Sequence, residues 1–191
     1  MKKHVPGVAL VALVAVGLFG GPALSAAAAS AKTIASPTSP AALTKVETVA
    51  FSSSYSGKAS LLINNGKATI PSITGSGKNS LFGASKVSGS GSAAASEQCD
   101  PFGGKGSIAA GANKIMFTVT QSSSQQGCAN GESGPVTVTF HGVAVATGGK
   151  GKGNGAAGSL KFHGSLKLGG TSGSQDGSFT VTLSGTLTVK A

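Results

Sequence analysis

The side chains able to carry acid–base, nucleophilic or metal chemistry are few. Five carboxylates, three histidines, two cysteines and one tyrosine are spread over 191 residues, and every Lys or Arg position is lysine. Cys99 and Cys128 form the one cysteine pair. Outside the cytoplasm such a pair is usually oxidised, and a bridge across this span would remove roughly 3–4 kcal/mol of unfolded-chain entropy. Zinc ligation together with His141 and His163 is the rival use, but the spacing fits no zinc pattern. No metal and no cofactor is therefore expected. Both histidines fall on the polar parity of their segments, beside Thr139 and Lys161, which predicts that they are solvated. Glu47 and Tyr55 share one face with Val49 and Phe51, and they are the candidates for proton transfer inside a fold. For Glu47, a solvated place at the start of a strand is the favoured alternative, since a general acid or base must be held in a cavity. Asp100, Glu132 and Asp176 stand in turn-like surroundings, where short acids commonly cap backbone groups.

Motif searches give little chemistry. Gly153-Asn154-Gly155-Ala156-Ala157-Gly158 fits the glycine pattern of dinucleotide sites. That pattern needs a helix after it, and the residues that follow alternate at strand period. No Gly-Lys pair is followed by Ser or Thr, as a phosphate loop requires, and Gly-x-Ser-x-Gly does not occur. The lysines give a formal net charge of +10. Lys150, Lys152, Lys161 and Lys167 lie close in sequence and suggest one basic patch. Such a patch would attract acidic wall polymers, anionic lipid heads or polysaccharide, although charge that serves only solubility reads the same way. Absent arginine and aromatics that do not interleave with the lysines argue against specific nucleic-acid binding.

The elements that must position these residues are strands. Leu160, Phe162, Leu166 and Leu168 share one parity, and Phe179, Val181, Leu183, Leu187 and Val189 share another, with Lys, Ser, Thr and His between them. Period-two alternation predicts two half-buried antiparallel strands, which need a larger sheet to lie on. Glu47 to Tyr55 predicts a first strand, followed by a short apolar segment, Leu61–Ile63. Asn65-Gly66 is a strong two-residue hairpin signal, with Ala68, Ile70 and Ser72 on the return strand and Pro71 marking an edge or a bulge. Lys86 to Ser96 suggests a strand of close-packed small residues, and Asp100-Pro101 with Gly103-Gly104 a turn before Gly106–Ala110. Ile115, Phe117 and Val119 alternate, then a polar loop runs to Cys128. Val136, Val138 and Phe140 alternate too; past Gly142 the apolar parity passes to Val143 and Val145, which predicts a β-bulge there. In all, the pattern predicts an all-β chain of about eight antiparallel strands, closed as a barrel or stacked as a sandwich.

The start reads differently. Lys2 and Lys3, the apolar run Val8 to Phe19, Gly20-Gly21-Pro22 and the small residues to Ala31 describe a secretory signal peptide, residues 1–31, cleaved near Ala28 to Ala31. The rival reading is an uncleaved membrane anchor. Cleavage would take Lys2 and Lys3 and lower the net charge to +8. Residues 32–44, with Pro37 and Pro40, read as a flexible linker, and the barrel domain is expected over 45–191 of an extracellular protein.

The segment Gly148-Gly149-Lys150-Gly151-Lys152-Gly153-Asn154-Gly155-Ala156-Ala157-Gly158 resembles the Gly-Gly-Thr-Gly-x-Phe-x-Gly-Ala-x-Gly turn between late strands of the allene oxide cyclase and dirigent barrels. Lys150 stands in place of the threonine and Gly153 in place of the aromatic. The likeness of pattern covers residues 136–190 and implies an eight-stranded barrel with a central apolar cavity. Members of that family include cyclases, proteins that steer radical coupling and secreted bacterial proteins of unknown role. None of their catalytic acids or arginines maps onto a position here. Two functions follow as leading expectations: a non-catalytic module that holds a small apolar ligand or meets an anionic envelope polymer, and an isomerase or cyclase. A purely structural surface protein, oligomerising at an edge near Pro71, is the third. The sequence does not indicate an oligomeric state.

Overall fold

The computed structural model describes residues 45–131 and 134–191. The expected leader, the linker and Glu132 lie outside the described residues. Among the described residues nine strands follow one another: β1 (Val46–Asn64), β2 (Lys67–Asn79), β3 (Gly83–Ala94), β4 (Cys99–Ala110), β5 (Asn113–Val119), β6 (Gln126–Asn130), β7 (Val136–Lys150), β8 (Ala157–Leu168) and β9 (Gly173–Lys190). One turn of 3-10 helix, Gly151–Gly153, links β7 to β8. All pairings are antiparallel, and β1 pairs with β9 from Val46↔Lys190 to Ile63↔Gly173, so the sheet closes on itself. The barrel form is therefore the one adopted, and a sandwich is not.

The barrel has one irregular stave. The first half of β4 pairs with β6 and its second half with β5. On the other side, β7 likewise pairs first with β6 and then with β5. β5 and β6 are thus two pieces of a single stave, interrupted by the loop 120–125. With them counted as one, eight staves close the wall.

Closure follows from the alternation. On β9, Phe179, Leu183, Leu187 and Val189 are buried, while Ser178, Thr180, Ser184 and Thr186 are exposed. The outside is polar and the inside apolar, the reverse of a barrel that faces lipid. A closed sheet also leaves no long unpaired edge on a weakly charged exterior. Asn65 and Gly66 both take positive φ, 49° and 68°, as a two-residue hairpin of the right twist requires.

Three local expectations are corrected, and a fourth, at Pro71, is decided. Glu47–Tyr55 and Leu61–Ile63 are parts of one strand, β1. Of the two places expected for Pro71, the bulge is the one found, inside β2; that strand is paired on both sides, so the edge alternative falls, inward parity passes from Ile70 to Ile73, and Ser72 is exposed. Asp100-Pro101 and Gly103-Gly104 lie within β4, since Pro101 pairs with Gln126 and Gly104 with Gly91 and Val119. Past Gly142 the parity does not slip: Ala144 and Ala146 are buried and Val145 is 46% exposed, with β7–β8 register unbroken from Val136 to Thr147. A Cβ at Gly142 would stand 2.8 Å from the Phe162 ring and from Gln125, so glycine holds the inward position there, and Ala144 and Ala146 continue its parity.

Candidate functional site

The interior divides into two halves. Strand direction puts Val46, the β2–β3 turn, the β4–β5 turn, Lys150 and Lys190 at one end, and the β1–β2 turn, Cys99, Asn130 and the β8–β9 turn at the other. The first end is filled. Phe51, Tyr55, Ile108, Ile115, Leu160 and Leu187 are almost wholly inaccessible and form a packed floor. A polar knot finishes it: Asn79 Nδ2 donates to Tyr55 Oη at 3.0 Å and to Ser85 Oγ at 2.7 Å, and the two hydroxyls lie 2.9 Å apart. Asn79 Oδ1 accepts the backbone N–H groups of Leu81 and Phe82, which folds the β2–β3 turn over the end.

The second half is hollow. A cavity of about 710 Å³ opens at that end and is lined by apolar side chains such as Ile73, Val87, Leu166, Phe179 and Leu183. Phe102, Phe140 and Phe162 form a ring cluster in its wall, with centroids 5.9–6.4 Å apart. Its boundary with the floor is sharp: Val87, in the lining, pairs with Ile108 of the floor, and Ala144 with Leu160. The hollow exists because β3 and β4 point only glycine inward between the level of Val87 and Ile108 and that of Ala93 and Phe102. Gly89 faces Gly106 and Gly91 faces Gly104 across the two strands. Adding a Cβ at Gly91 or Gly104 would bring it within 2.6 Å or 2.5 Å of the neighbouring backbone oxygen, so these strands also lie too close for side chains. The small-residue strand expected at Lys86–Ser96 is thus β3, and beyond Val87 its inward glycines and alanines face the cavity.

At the mouth stand Glu97, Gln98, Asp100 and Thr171. The Asp100 carboxylate accepts the Ser96 and Glu97 backbone N–H groups at 3.0 and 3.1 Å, fixing the β3–β4 turn. Cys99 and Cys128 are direct cross-strand partners on β4 and β6 and are joined in a disulfide, with Cα atoms 4.0 Å apart. The bridge fastens the mouth half of the interrupted stave to its neighbour.

The other residues singled out by sequence are dispersed. Glu47 is exposed at the filled end, remote from the mouth, and Tyr55 is in the floor; neither lines the cavity. His141 and His163 are exposed on the outer face and directly opposite each other across β7 and β8, with a ring nitrogen of His163 2.9 Å from Thr182 Oγ1. Among the described residues, no three His, Cys, Asp or Glu side chains converge as metal ligands would. Lys150 and Lys152 stand at the filled end, whereas Lys161 is level with Val143, midway along β7, and Lys167 pairs with Thr137 and Ser178 towards the mouth. The six residue steps from Lys161 to Lys167 span about 20 Å of strand. Their places beside Lys150 and Lys152 are taken by Lys114, Lys190 and Lys45, which sequence distance conceals.

No family model, curated protein or solved structure matches this chain. Among the described residues no helix is long and apolar enough to cross a membrane.

Proposed function

We propose that the protein binds a neutral, apolar small molecule in the hollow half of the barrel and acts as a carrier or sensor of it outside the cytoplasm. The observation that carries this reading is the cavity itself. Its volume of about 710 Å³ falls within the 300–1,000 Å³ of typical ligand pockets. Burial of apolar ligand surface there would supply about 25 cal/mol per Å². The lining selects chemistry as well as size: the deep wall is aliphatic and phenylalanine, so a charged group entering it would lose its hydration without a partner. A polar end of the ligand is best left at the mouth, near Gln98 and Thr171. The disulfide supports an oxidising compartment, in keeping with the secretory leader expected from sequence. The cyclase reading draws less support, because Glu47 and Tyr55 both stand away from the cavity and Asp100 is engaged by its own turn.

Titration with N-phenyl-1-naphthylamine, a neutral fluorophore that brightens in apolar surroundings, tests the reading. Saturable one-to-one binding that Val87→Phe removes is expected. No brightening, or brightening indifferent to Val87→Phe, overturns it.

A further inference from the structure

We propose that the filled end of the barrel is a docking surface for a flexible polyanion with phosphate-bearing repeats, held by Lys45, Lys114, Lys150, Lys152 and Lys190. This goes beyond the apolar ligand and uses the opposite end of the molecule.

The fold brings these lysines together at a cost. Lys114 and Lys150 are direct cross-strand partners, an arrangement in which like charges repel. The β7–β8 turn then curls back on β5, placing Lys152 beside them, with its backbone N–H bonded to Asn113 Oδ1 at 2.9 Å. Only glycine permits that approach: a Cβ at Gly149 or Gly153 would collide with the Lys114 carbonyl oxygen, and one at Gly151 with Asn113 Oδ1. Lys190 joins from β9, its backbone N–H bonded to the Asn154 oxygen at 2.8 Å, and its side chain lies along Gly155. Lys45 completes the group, its carbonyl accepting the N–H of Ala191 at 2.8 Å.

Charge is also polarised along the barrel. Glu97, Asp100 and Asp176 lie towards the mouth, Asp176 being paired with Ser60 on β1, and among the described acids only Glu47 shares the lysine end. Solubility requires net charge but not its segregation, whereas a segregated charge creates a field that steers an oppositely charged partner. The partner's class follows from what accompanies the lysines. Lysine is a point charge on a flexible stem, suited to a mobile row of anions more than to one oriented group. Every described phenylalanine is buried or half-buried, Tyr55 is buried and tryptophan is absent. The surface therefore lacks the aromatic platforms of single-stranded nucleic-acid sites and the aromatic anchors of bilayer interfaces. A phosphate-rich polymer without bases fits both facts.

The test is fluorescence anisotropy with end-labelled linear inorganic polyphosphate over a salt series. Two quadruple variants carry the same charge change: Lys114→Gln, Lys150→Gln, Lys152→Gln and Lys190→Gln at the filled end, and Lys58→Gln, Lys67→Gln, Lys105→Gln and Lys167→Gln elsewhere. Each lysine engaged should contribute about 0.7 to the slope of log affinity against log salt, as for single-stranded polyanions. The filled-end variant should lose about 3 from that slope and at least about tenfold in affinity at low salt. The other variant should keep most of both. Single Lys150→Gln, which leaves the fold least disturbed, should lose about 0.7. Equal losses in the two quadruple variants, no saturable binding, or preference for anionic phospholipid vesicles at matched phosphate concentration overturns the proposal.

Discussion

Lys114 and Lys150 face each other directly where β5 pairs with β7, at the end of the barrel that is packed solid. Two ammonium groups in cross-strand register repel, and the fold keeps them there through glycines that admit no side chain. Relief of that repulsion is measurable. Lys150→Thr should stabilise the barrel by about 0.2–1 kcal/mol at low salt. The gain should shrink as salt screens the pair. Thermal unfolding at two ionic strengths reads it; a destabilised variant, or a gain indifferent to salt, would contradict the pairing.

The floor rests on a hydrogen-bonded knot as well as on apolar packing. Tyr55→Phe keeps the ring and removes the hydroxyl, leaving Asn79 Nδ2 with Ser85 Oγ as its one partner in the knot, while Ser85 Oγ still donates to the Gly83 carbonyl oxygen. The expected cost is about 1–2 kcal/mol in urea unfolding, with naphthylamine binding unchanged because Tyr55 is outside the cavity. Weaker dye binding without a loss of stability would mean that Tyr55 reaches the ligand.

The mouth depends on the disulfide. β6 is five residues long and meets β4 at only three positions, one of them the bridge itself. Replacing both cysteines, Cys99→Ser with Cys128→Ser, should cost roughly 3–4 kcal/mol on the chain-entropy model. Hydrogen exchange should quicken first at Gln126–Asn130 and last at Leu160 and Leu187. Uniform quickening would show that the bridge serves the whole barrel equally.

Filling the hollow separates capacity from fold. Ala144→Leu adds methyl groups at the boundary between floor and cavity. It should weaken naphthylamine binding at least about tenfold, while costing under about 3 kcal/mol, the usual range for overpacking. Undiminished binding would place the dye elsewhere.

What could be read from sequence depended on whether inward positions carried a recognisable apolar group. The β8–β9 hairpin was legible because Leu160, Phe162, Phe179 and Leu183 alternate with polar residues, and Asn65-Gly66 announced its own turn. Cys99 and Cys128, the one cysteine pair, are joined as expected, though only the pairing of β4 with β6 shows them in direct register. β3 and β4 were the hard part: inward Gly89, Gly91, Gly104 and Gly106 leave no hydrophobic trace, and Asp100-Pro101 imitated a turn. Along β7 the larger Val143 and Val145 outweigh the buried Ala144 and Ala146 in the pattern, and the inward position at Gly142 carries no side chain to mark its parity. Sequence spacing misgroups the lysine cluster for a plainer reason. Neighbours along an extended strand separate by about 3.3 Å per residue, so Lys161 and Lys167 leave the end where Lys150 stands, while β5 brings Lys114 back to it.

The account turns on an interior that is solid at one end and empty and apolar at the other. Methyl NMR under xenon pressure tests this most directly, since xenon enters dry apolar voids. Methyl signals of Ile73, Val87, Leu166 and Leu183 should shift with xenon in a saturable way, and those of Ile108, Ile115, Leu160 and Leu187 should stay in place. Equal shifts in both groups, or none in either, would contradict it.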